Sequence, residues 1–507
     1  MVKGESLCVS DLILSGSQDP DAPAIESPGY ESLSYHALRE QIAYVVKSLN
    51  VRGLRPNDRV AVIMPNGPDA AVAILAVMAG FTVVPLNSTC KECEYNSSFS
   101  SLGINAVLVQ GENTPAVAAA GTFNIPVIEV HNLQAIAGRF TLLPEIDTKI
   151  TEAIYATPED IAAIKVTTGT TAKPKFVPVS QKRFFSGMRI LNASSHLNNT
   201  DKNLHFLPLD TGFGFESPLG GTLLTGGSLV CIRDFIPSDF VNYLNTYRPT
   251  YYWGGPAHHQ AILRELKKVP RDKLANHSLR LICSGAAAIP PAIPHELEKL
   301  LGINFIDVYA MSEAYISMNL PSRQRSVGIP FIRELEIWDD RDHALPPGQT
   351  GEIVIRGELV FDGYLNAPEE NAEAFTEGWF RTGDMGFLDQ DGYLFLTGRK
   401  KELINKGGRK IAPVEIDTVL KSHPLVSDAM TFGIADPVLG EDVVAMVVPA
   451  DENLTETDLR MYLLDRLVQF KVPKRIYFVD EIPKTPTGKP QRYMGTQRYS
   501  ENPLKIF

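Results

Sequence analysis

The residues best suited to chemistry in this chain form a short polar loop. Residues 166–175 read VTTGTTAKPK and follow the apolar, strand-like stretch 161–166. The loop offers hydroxyl groups, free backbone N–H groups and one mobile cation, which together suit a polyphosphate. The Walker A pattern GxxxxGK[ST] is absent. The loop therefore indicates a different kind of phosphate site, and a Ser/Thr-rich surface turn is the alternative.

Further segments along the chain carry groups that suit a nucleotide. Residues 281–287, LICSGAA, form an apolar strand that ends in small residues, which lets a flat ring approach the backbone. Residues 307–313, DVYAMSE, end in a carboxylate that suits a hard cation such as Mg²⁺. Residues 379–384, WFRTGD, end in another carboxylate, and residues 486–492, PTGKPQR, place a lysine near the end of the chain.

In their order, these segments resemble the motifs of the superfamily that contains acyl-CoA synthetases, nonribosomal-peptide adenylation domains and luciferases. The polar loop resembles TSGTTGxPKG, with Ala172 and Phe176 at two positions where glycine is usual. The second carboxylate segment resembles YGxTE, with Ala310 for glycine and Ser312 for threonine. The resemblance covers nearly the whole chain. It implies an enzyme that uses ATP and Mg²⁺ to convert a carboxylic acid into its acyl-AMP and then passes the acyl group to a thiol.

The resemblance also implies an ATP- and AMP-binding set, made up of Thr167, Thr168, Gly169, Thr170, Thr171, Lys175, Gly285, Ala286, Ala287, Asp307, Val308, Tyr309, Ala310, Met311, Ser312, Asp384 and Arg399. In that match Tyr309 stacks on adenine and Ser312 contacts the α-phosphate. Asp384 accepts hydrogen bonds from both ribose hydroxyls, and a carboxylate has the acceptor geometry that a vicinal diol needs. Arg399 adds a ribose or phosphate contact.

Three residues are implied to be catalytic: Lys489, Glu313 and Lys175. Glu313 is the expected magnesium ligand. Lys489 would bridge the substrate carboxylate and the α-phosphate as charge develops in the transition state, which is an electrostatic role. The alternative for Lys489 is an exposed lysine on a loop near the C-terminus.

A hinge and a second active orientation follow from the same resemblance. Lys400 stands where the family rotates its backbone to exchange domain orientations. Gly407 and Gly408 correspond to the loop that faces the acceptor thiol in the second orientation. The expected domains are therefore an adenylation domain at 1–399 and a mobile domain at 400–507.

The acid and the thiol are less well defined than the nucleotide site. Candidate residues of the acyl pocket are Asp210, Thr211, Phe213, Phe215, Trp253 and Gly254. The nearest counterpart of the aspartate that binds an α-amino group falls on Thr211, one position from Asp210, so an α-amino acid is disfavoured. The acceptor is CoA, the simpler choice, or the phosphopantetheine of a separate carrier protein. A luciferase-like oxidase and a non-catalytic binding protein are the alternatives from other classes.

The elements that position these residues alternate between strand and helix. Short β-rich runs at 59–64, 106–110 and 126–130 alternate with helical patterns, which predicts stacked βαβ units on mainly parallel sheets. From about Gly351 short strands with turn signals predict an antiparallel sheet or barrel. The predicted fold is α/β: a large N-terminal domain of two doubly wound subdomains plus a small β-barrel, then a small mobile α+β domain.

Composition limits the remaining function classes. The chain has 507 residues and a net charge of −11, which gives no reason to expect nucleic acid or an anionic membrane surface. Five cysteines form an odd, sparse set that favours a reducing compartment, with cytoplasm as the default. Cys90 and Cys93 form a CxxC, read as structural rather than as a zinc or redox site. The most apolar run, 70–86, is too short and interrupted to span a membrane and predicts a buried helix followed by a buried strand.

Overall fold

The computed structural model describes residues 8–11, 19–133, 135–146, 152–167, 175–274, 276–287, 289–319, 323, 326–484 and 489–501. Within these residues the chain folds around two large, mainly parallel sheets, followed by two five-stranded sheets. Helices connect the parallel strands, as the alternating sequence pattern predicts. The predicted α/β fold class is confirmed, and the prediction of a small antiparallel unit before the C-terminal domain corresponds to the first five-stranded sheet.

The two large sheets contain most of the strands that lead into the site. In spatial order, the nine-stranded sheet contains Ile329–Pro330, Ala314–Met318, Asn304–Met311, Leu281–Ser284, Tyr251–Gly254, Lys202–His205, Ser228–Cys231, Pro23–Glu26 and Leu33–Ser34. The seven-stranded sheet contains Phe140–Leu143, Val127–Asn132, Ala106–Val109, Arg59–Ile63, Thr82–Pro85, Ile161–Thr167 and Lys175–Ser180. Both sheets are parallel in their centres and antiparallel at one or both edges.

Two smaller sheets follow in the chain. The antiparallel sheet contains Glu334–Trp338, Gly351–Arg356, Trp379–Leu388 and Phe375–Thr376, with Leu394–Arg399 paired to the third of these. The C-terminal sheet contains Arg409–Ile411, Ile404–Lys406, Gly440–Pro449 and Val426–Asp436, with Arg475–Phe478 paired to the third of these. The turn that contains Asp391 and Gly392 joins the last two strands of the antiparallel sheet, as the hairpin signal predicts.

Helices and helical turns occupy the connections. The α-helices are Tyr35–Val51, Pro68–Gly80, Glu92–Leu102, Thr114–Thr122, Gln181–Ser194, Gly212–Gly214, Thr222–Leu224, Phe240–Tyr247, Pro256–Leu266, Arg271–Leu274, Ala292–Leu301, Pro368–Ala374, Pro413–Lys421, Glu456–Leu464 and Arg492–Glu501. A π-helical turn spans Phe215–Gly221, and 3₁₀ turns span Pro237–Asp239, Lys400–Glu402 and Gln469–Lys471. The described residues contain no helix with the length and apolar character needed to cross a membrane.

The apolar run at 70–86 forms the centre of the large domain. All thirteen residues of the helix Pro68–Gly80 are buried, and the strand Thr82–Pro85 that follows is buried throughout. The helix packs against Tyr35–Val51, which confirms the prediction of a buried helix followed by a buried strand. Separate hydrophobic clusters fill the C-terminal unit around Ile404–Lys406 and its neighbours, so that unit has a core of its own.

The two edge strands of the seven-stranded sheet fix the ends of the polar loop. Strand Ile161–Thr167 pairs antiparallel with Lys175–Ser180, and Thr167 lies opposite Lys175 in the register. The loop residues Thr168, Gly169, Thr170, Thr171 and Ala172 lie outside the described residues. Their two flanking residues are nevertheless held by the sheet, so the loop begins and ends at one defined place.

Candidate active site

Three predicted nucleotide residues meet where the antiparallel sheet approaches the nine-stranded sheet. The hydroxyl of Tyr309 donates to Asp384 Oδ2 over 2.6 Å, and Arg399 Nε lies 2.9 Å from Asp384 Oδ1. Strand pairing sets the second contact, because Asp384 and Arg399 are directly opposite each other in neighbouring strands. Asp384 is only 6% exposed. Each carboxylate oxygen therefore keeps one or more lone pairs for a further donor while its position is fixed.

The expected magnesium ligand is connected to the expected phosphate-loop lysine by one aromatic ring. Tyr364 donates its hydroxyl to Glu313 Oε1 over 2.8 Å. The ammonium of Lys175 lies 4.3 Å from the centre of the Tyr364 ring, a cation–π contact. Burial and the nearby Glu313 carboxylate raise the pKa of Tyr364, so the phenol keeps its proton and acts as a donor. Sequence reasoning missed Tyr364, although it lies in the turn-rich segment GYLNAP.

The C-terminal unit contributes Lys489 to the same site. The lysine is half-buried, and it is within electrostatic reach of Arg399, Glu402, Asp384 and Glu313. Burial, followed by the like charge of Arg399, lowers the pKa of Lys489, while the three carboxylates act in the opposite direction. The structure thus brings Lys489 together with the predicted ribose and magnesium residues in the orientation of the two units described.

The small-residue segment at the end of strand Leu281–Ser284 approaches closely to its neighbours. A Cβ on Gly285 would lie 2.8 Å from the Phe213 ring, so the position requires glycine unless that ring moves. Ala286 has φ of 70°, a left-handed conformation that is unusual for a residue with a Cβ. Asp307 lies opposite Ser284 in the adjacent strand, and burial raises its pKa to about 7.

The neighbouring positions of the nucleotide set have mixed exposure. Val308 is buried in its strand, whereas Ala310 is exposed at the strand's end and Met311 is half-buried. Ala287 is half-buried beside Ala286. Ser312 is half-buried, and its carbonyl accepts a hydrogen bond over 2.8 Å from Arg183. These residues lie on two adjacent strand ends, which is where parallel α/β sheets bind ligands.

The segment predicted to guard the acyl pocket folds as a tight helical turn. Thr211 caps this turn, because its hydroxyl accepts from the Gly214 N–H over 3.1 Å and donates to the Pro208 carbonyl over 2.8 Å. The Asp210 carboxylate accepts a hydrogen bond from the side chain of Asn87, and burial raises its pKa. Both hydrogen bonds of the Thr211 hydroxyl are therefore made to the backbone of its own turn. Asp210 faces the loop that follows strand Thr82–Pro85.

Aromatic residues form the wall of the predicted acyl pocket. Phe213 meets Trp253 edge to face, with ring centres 6.0 Å apart. Phe215 is fully buried at the start of the π-helical turn. A Cβ added at Gly254 would point to the face of the strand opposite to Trp253 and would lie 2.9 Å from His259. Phe213 and Trp253 are thus grouped together, and Gly254 contributes backbone rather than a surface on that face.

The predicted hinge is held against the large domain by a buried carboxylate. Lys400 Nζ lies 2.9 Å from Glu352 Oε2, which also accepts from Arg381 over 2.6 Å. A longer contact of 3.7 Å joins Lys400 to the exposed Asp340. Gly407 and Gly408 are exposed in a tight turn, with φ of 58° and 83°, on the C-terminal unit. The hinge residue is fixed in this orientation, while the glycine turn faces outward.

A buried ionic cluster lies beneath the site and was missed from the sequence. Lys165 and Glu216 form an ion pair of 3.0 Å, with 2% and 7% of their side chains exposed. Tyr315 lies against Lys165 and also against Arg183, at 5.6 and 5.9 Å from its ring centre. Burial lowers the pKa of both Lys165 and Arg183. The available signal was a single lysine inside the apolar strand IAAIKVT, without any indication of its partner.

No group of three or more His, Cys, Asp or Glu residues within the described part of the chain is arranged to hold a metal. The predicted magnesium ligand, Glu313, carries a carboxylate of the kind that Mg²⁺ binds when phosphates and water complete its shell. Cys90 and Cys93 are free thiols, half-buried and exposed respectively. The structural role predicted for the CxxC stays a prediction.

Comparisons with known proteins match nearly the whole chain. Residues 14–365 match the family described as AMP-binding enzyme, and residues 415–489 match the AMP-binding enzyme C-terminal domain. An oxalate–CoA ligase of Arabidopsis thaliana is 34% identical, covering 96% of this chain and 97% of that protein. A sulfoacetate–CoA ligase of Cupriavidus necator is 31% identical, covering 95% and 96%. The ATP-bound structure of MatB from Rhodopseudomonas palustris superposes with a TM-score of 0.88 at 26% identity, covering 98% and 99%.

These matches agree with the geometry of the site. The residues that the motifs identified come from both matched regions and from the segment between them, and they interact with one another or through Tyr364. The resemblance stated from the sequence and the expected enzyme class are both confirmed. The chain belongs to the AMP-binding enzyme family and is an AMP-forming acid–thiol ligase.

Proposed function

We propose that the chain activates a short carboxylic acid with Mg²⁺-ATP and transfers the acyl group to CoA. The supporting observation is that Lys489 lies within electrostatic reach of Asp384, Arg399 and Glu313. A residue from the C-terminal unit thus lies at the nucleotide residues of the large domain. This arrangement suits the first step, in which a carboxylate oxygen attacks the α-phosphate, an acyl-AMP forms and pyrophosphate leaves.

The nucleotide roles follow from the hydrogen-bond capacity of each group. Asp384 accepts from the two ribose hydroxyls with the lone pairs that Tyr309 and Arg399 leave available. The Tyr309 ring lies against adenine, and Ser312 donates to the α-phosphate. Lys175 lies at the end of the phosphate loop and neutralises the outer phosphates. Thr167 and the loop residues 168–171 provide further donors.

Glu313 would hold the magnesium ion together with ATP phosphate oxygens and water. When bound, the ion neutralises charge on the phosphates during displacement of pyrophosphate. Tyr364 keeps the Glu313 carboxylate oriented through its 2.8 Å hydrogen bond. Lys175 packs on the other side of the same phenol ring, so these two charged groups keep a fixed spacing.

Lys489 stabilises the transition state by charge. The attacking carboxylate and the α-phosphate develop negative charge between them, and an ammonium at that point favours the transition state over the ground state. The lowered pKa of Lys489 reflects burial and the like charge of Arg399. A bound anionic substrate would favour the protonated form of the lysine.

Transfer to the thiol requires a second orientation of the C-terminal unit. We place the boundary between the domains at 399/400, with Lys400 as the hinge residue. In the orientation described, the Gly407–Gly408 turn is exposed and Lys489 is at the nucleotide residues. Rotation at the hinge would withdraw Lys489 and bring the glycine turn to the acyl-AMP, where the thiol sulfur attacks the acyl carbon and AMP leaves.

The relatives support CoA as the acceptor and a short acid as the substrate. Two of the proteins reported above are named as CoA ligases for oxalate and for sulfoacetate, both two-carbon acids. The alternative acceptor is the phosphopantetheine of a separate carrier protein. All five cysteines are free, which supports a reducing compartment such as the cytoplasm.

Acid-dependent exchange of pyrophosphate into ATP tests the first step. Purified protein should exchange with at least one member of a panel of short dicarboxylic, short aliphatic, fatty, aryl and amino acids. Silence across the panel contradicts the proposal. A single-turnover comparison of CoA with a phosphopantetheinylated carrier then identifies the acceptor, and faster transfer to the carrier contradicts the choice of CoA.

A further inference from the structure

Two polar side chains, one in the wall of the predicted acyl pocket and one beside it, have no hydrogen-bond partner among the described residues. They are His205, at both ring nitrogens, and Trp253, at the indole Nε1. Both are almost completely buried, at 2% and 3% exposure. Buried polar groups are normally paired, because a buried N–H without an acceptor loses its hydrogen bonds to water without replacement. Two such groups on adjacent strands therefore require an explanation.

The two residues lie on the same face of the nine-stranded sheet. Strands Lys202–His205 and Tyr251–Gly254 are parallel neighbours, and Leu204 pairs with Tyr252 in the register. The following residues, His205 and Trp253, are therefore side by side, and side chains alternate between faces along each strand. On the opposite face, Tyr252 is paired, with its hydroxyl 3.1 Å from His259 Nδ1. The unpaired atoms are thus confined to one face of this strand pair.

That face is the one on which the acyl pocket lies. Trp253 contacts Phe213 edge to face, and Phe213 in turn packs on Gly285 at the adenylate side. Trp253 pairs with Cys283, two residues before Gly285, which corresponds to about 7 Å along the strand. If the carboxylate of a short acid lies at the nucleotide, the other end of that acid therefore lies level with Trp253 after only a few bonds.

The hydrogen-bonding groups of Trp253 and His205 determine which ligand atoms these side chains can bind. Indole N–H is a donor only, and a neutral imidazole offers one donor and one acceptor. Burial lowers the pKa of His205 to about 4, so the ring is uncharged at neutral pH. A purely apolar tail would leave both groups unpaired, whereas an oxygen atom on the tail would accept from their N–H groups, and a hydroxyl could also donate to the remaining imidazole nitrogen.

We propose that the activated acid carries an oxygen on its short tail, which accepts a hydrogen bond from Trp253 Nε1 and lies against the imidazole of His205. This inference rests on the proposed function, since it describes the acyl pocket of the same reaction. A hydroxyl and a second carboxylate share this acceptor chemistry. Trp253 and His205 are accordingly residues that determine specificity for the acid and do not act on ATP.

Matched acids test the inference through pyrophosphate exchange. One series compares propanoate, 3-hydroxypropanoate and propanedioate, and a second compares butanoate, 4-hydroxybutanoate and butanedioate. At least one oxygenated acid should exceed the apolar acid of equal length by about tenfold or more in kcat/KM, because a site built around hydrogen bonds rejects analogues that lack them. The oxygenated acid with the higher kcat/KM then shows whether the group on the tail is a hydroxyl or a second carboxylate.

Variants then test the two residues. Trp253→Phe keeps an aromatic ring against Phe213 and removes the indole N–H together with part of the ring, and it should reduce the preference for the oxygenated acid by about tenfold. His205→Leu should reduce the preference similarly, and His205→Gln, which retains a donor, should restore part of it. The KM for ATP should not change in any of them. Tyr252→Phe removes a hydroxyl from the opposite face and serves as the matched control with unchanged preference.

The outcomes separate this inference from the function on which it rests. Equal or better exchange with the apolar acids overturns the inference and leaves the ligase intact, and so does an unchanged preference in folded Trp253→Phe and His205→Leu. Failure of every acid in both series and in the wider panel overturns the proposed function and the inference with it. Thermal unfolding of each variant without ligands verifies that the comparison concerns folded protein.

Discussion

The ammonium of Lys165 lies 3.0 Å from Glu216 Oε1 and 3.2 Å from Oε2, in a place closed to solvent. Lys165 belongs to the strand that leads into the phosphate loop, and Glu216 belongs to the π-helical turn that follows the segment predicted to guard the acyl pocket. Gly212 lies across the pair, since a Cβ there would be 2.6 Å from Lys165 Cδ. One ion pair therefore fixes the distance between the phosphate side and the acid side of the site.

Replacement of Lys165 by Met should destabilise the fold by about 3–5 kcal/mol, because Glu216 would remain buried without a partner. Urea unfolding of the ligand-free protein measures the loss. The double variant Lys165→Met with Glu216→Gln should recover part of it, since the unpaired charge is then removed. Lys268→Met breaks an exposed ion pair with Glu265 and serves as a control with little change.

A loss below about 1 kcal/mol for Lys165→Met would contradict the role of this pair. The same variants carry a functional readout. If the pair fixes the acid side relative to the phosphate side, folded variants should show a raised KM for the acid together with a lower kcat. A change in stability alone, with both constants unchanged, would limit the pair to a structural role.

Features that depend on one local segment of the chain could be predicted from the sequence. The strands at 59–64 and 106–110 and the buried helix at 70–79 were predicted close to their observed bounds, because apolar periodicity is a local property. Tyr309, Asp384 and Arg399 were grouped through a resemblance to known motifs, and the structure places them in contact.

Long-range side-chain pairs could not be predicted from one sequence. Lys165 and Glu216 are separated by 51 residues, and nothing in either local pattern identifies the other. Tyr364 reaches Glu313 across the same separation of 51 residues. Such contacts depend on how two sheets and a turn pack together, which is a property of the tertiary structure. The unpaired state of His205 and Trp253 was hidden for the same reason.

Adenylation should decrease as pH rises through the lowered pKa of Lys489. Because burial disfavours the ammonium, the lysine loses its charge at a pH below the ordinary value of 10.5. Pyrophosphate exchange measured between about pH 7 and 10 should therefore show a basic limb, and Lys489→Arg should move that limb to higher pH because guanidinium stays charged.

Lys489→Ala should sharply reduce acyl-AMP formation and largely spare transfer from preformed acyl-AMP. Equal loss in both steps would contradict the assigned role.

Loss of the buried acceptor at the hinge should disturb the first step more than the second. Glu352→Gln removes the charge that holds Lys400 at 2.9 Å, so the adenylation orientation should become less populated. Acyl-AMP formation should fall several-fold, with transfer to the thiol changed less, in separate single-turnover assays. Glu334→Gln is the matched control, because Glu334 is exposed and pairs with Arg356 within the antiparallel sheet, without a contact to the C-terminal unit in that pair. Equal effects of the two variants would exclude a special role for Glu352.

Phe213 should limit the size of the acid. Its ring lies between Gly285 and Trp253, so Phe213→Ala should open space in the pocket. The KM for branched or aromatic acids should fall relative to that for short acids in pyrophosphate exchange. The opposite change, Gly285→Ala, would place a Cβ 2.8 Å from the ring and should weaken binding of all acids. An unchanged acid profile in Phe213→Ala would show that the limit lies elsewhere in the pocket.

Two buried histidines should make the fold sensitive to acid. Burial lowers the pKa of His205 to about 4 and that of His259 to about 3, from an ordinary value of 6.5. Below about pH 6.5 the unfolded chain binds protons that the native state does not bind, so stability decreases as pH falls towards 4. Each histidine contributes a slope of about 1 kcal/mol per pH unit in that window. In urea unfolding series, His205→Leu should remove one of the two contributions. An identical slope in His205→Leu would show that this imidazole gains protons equally in both states.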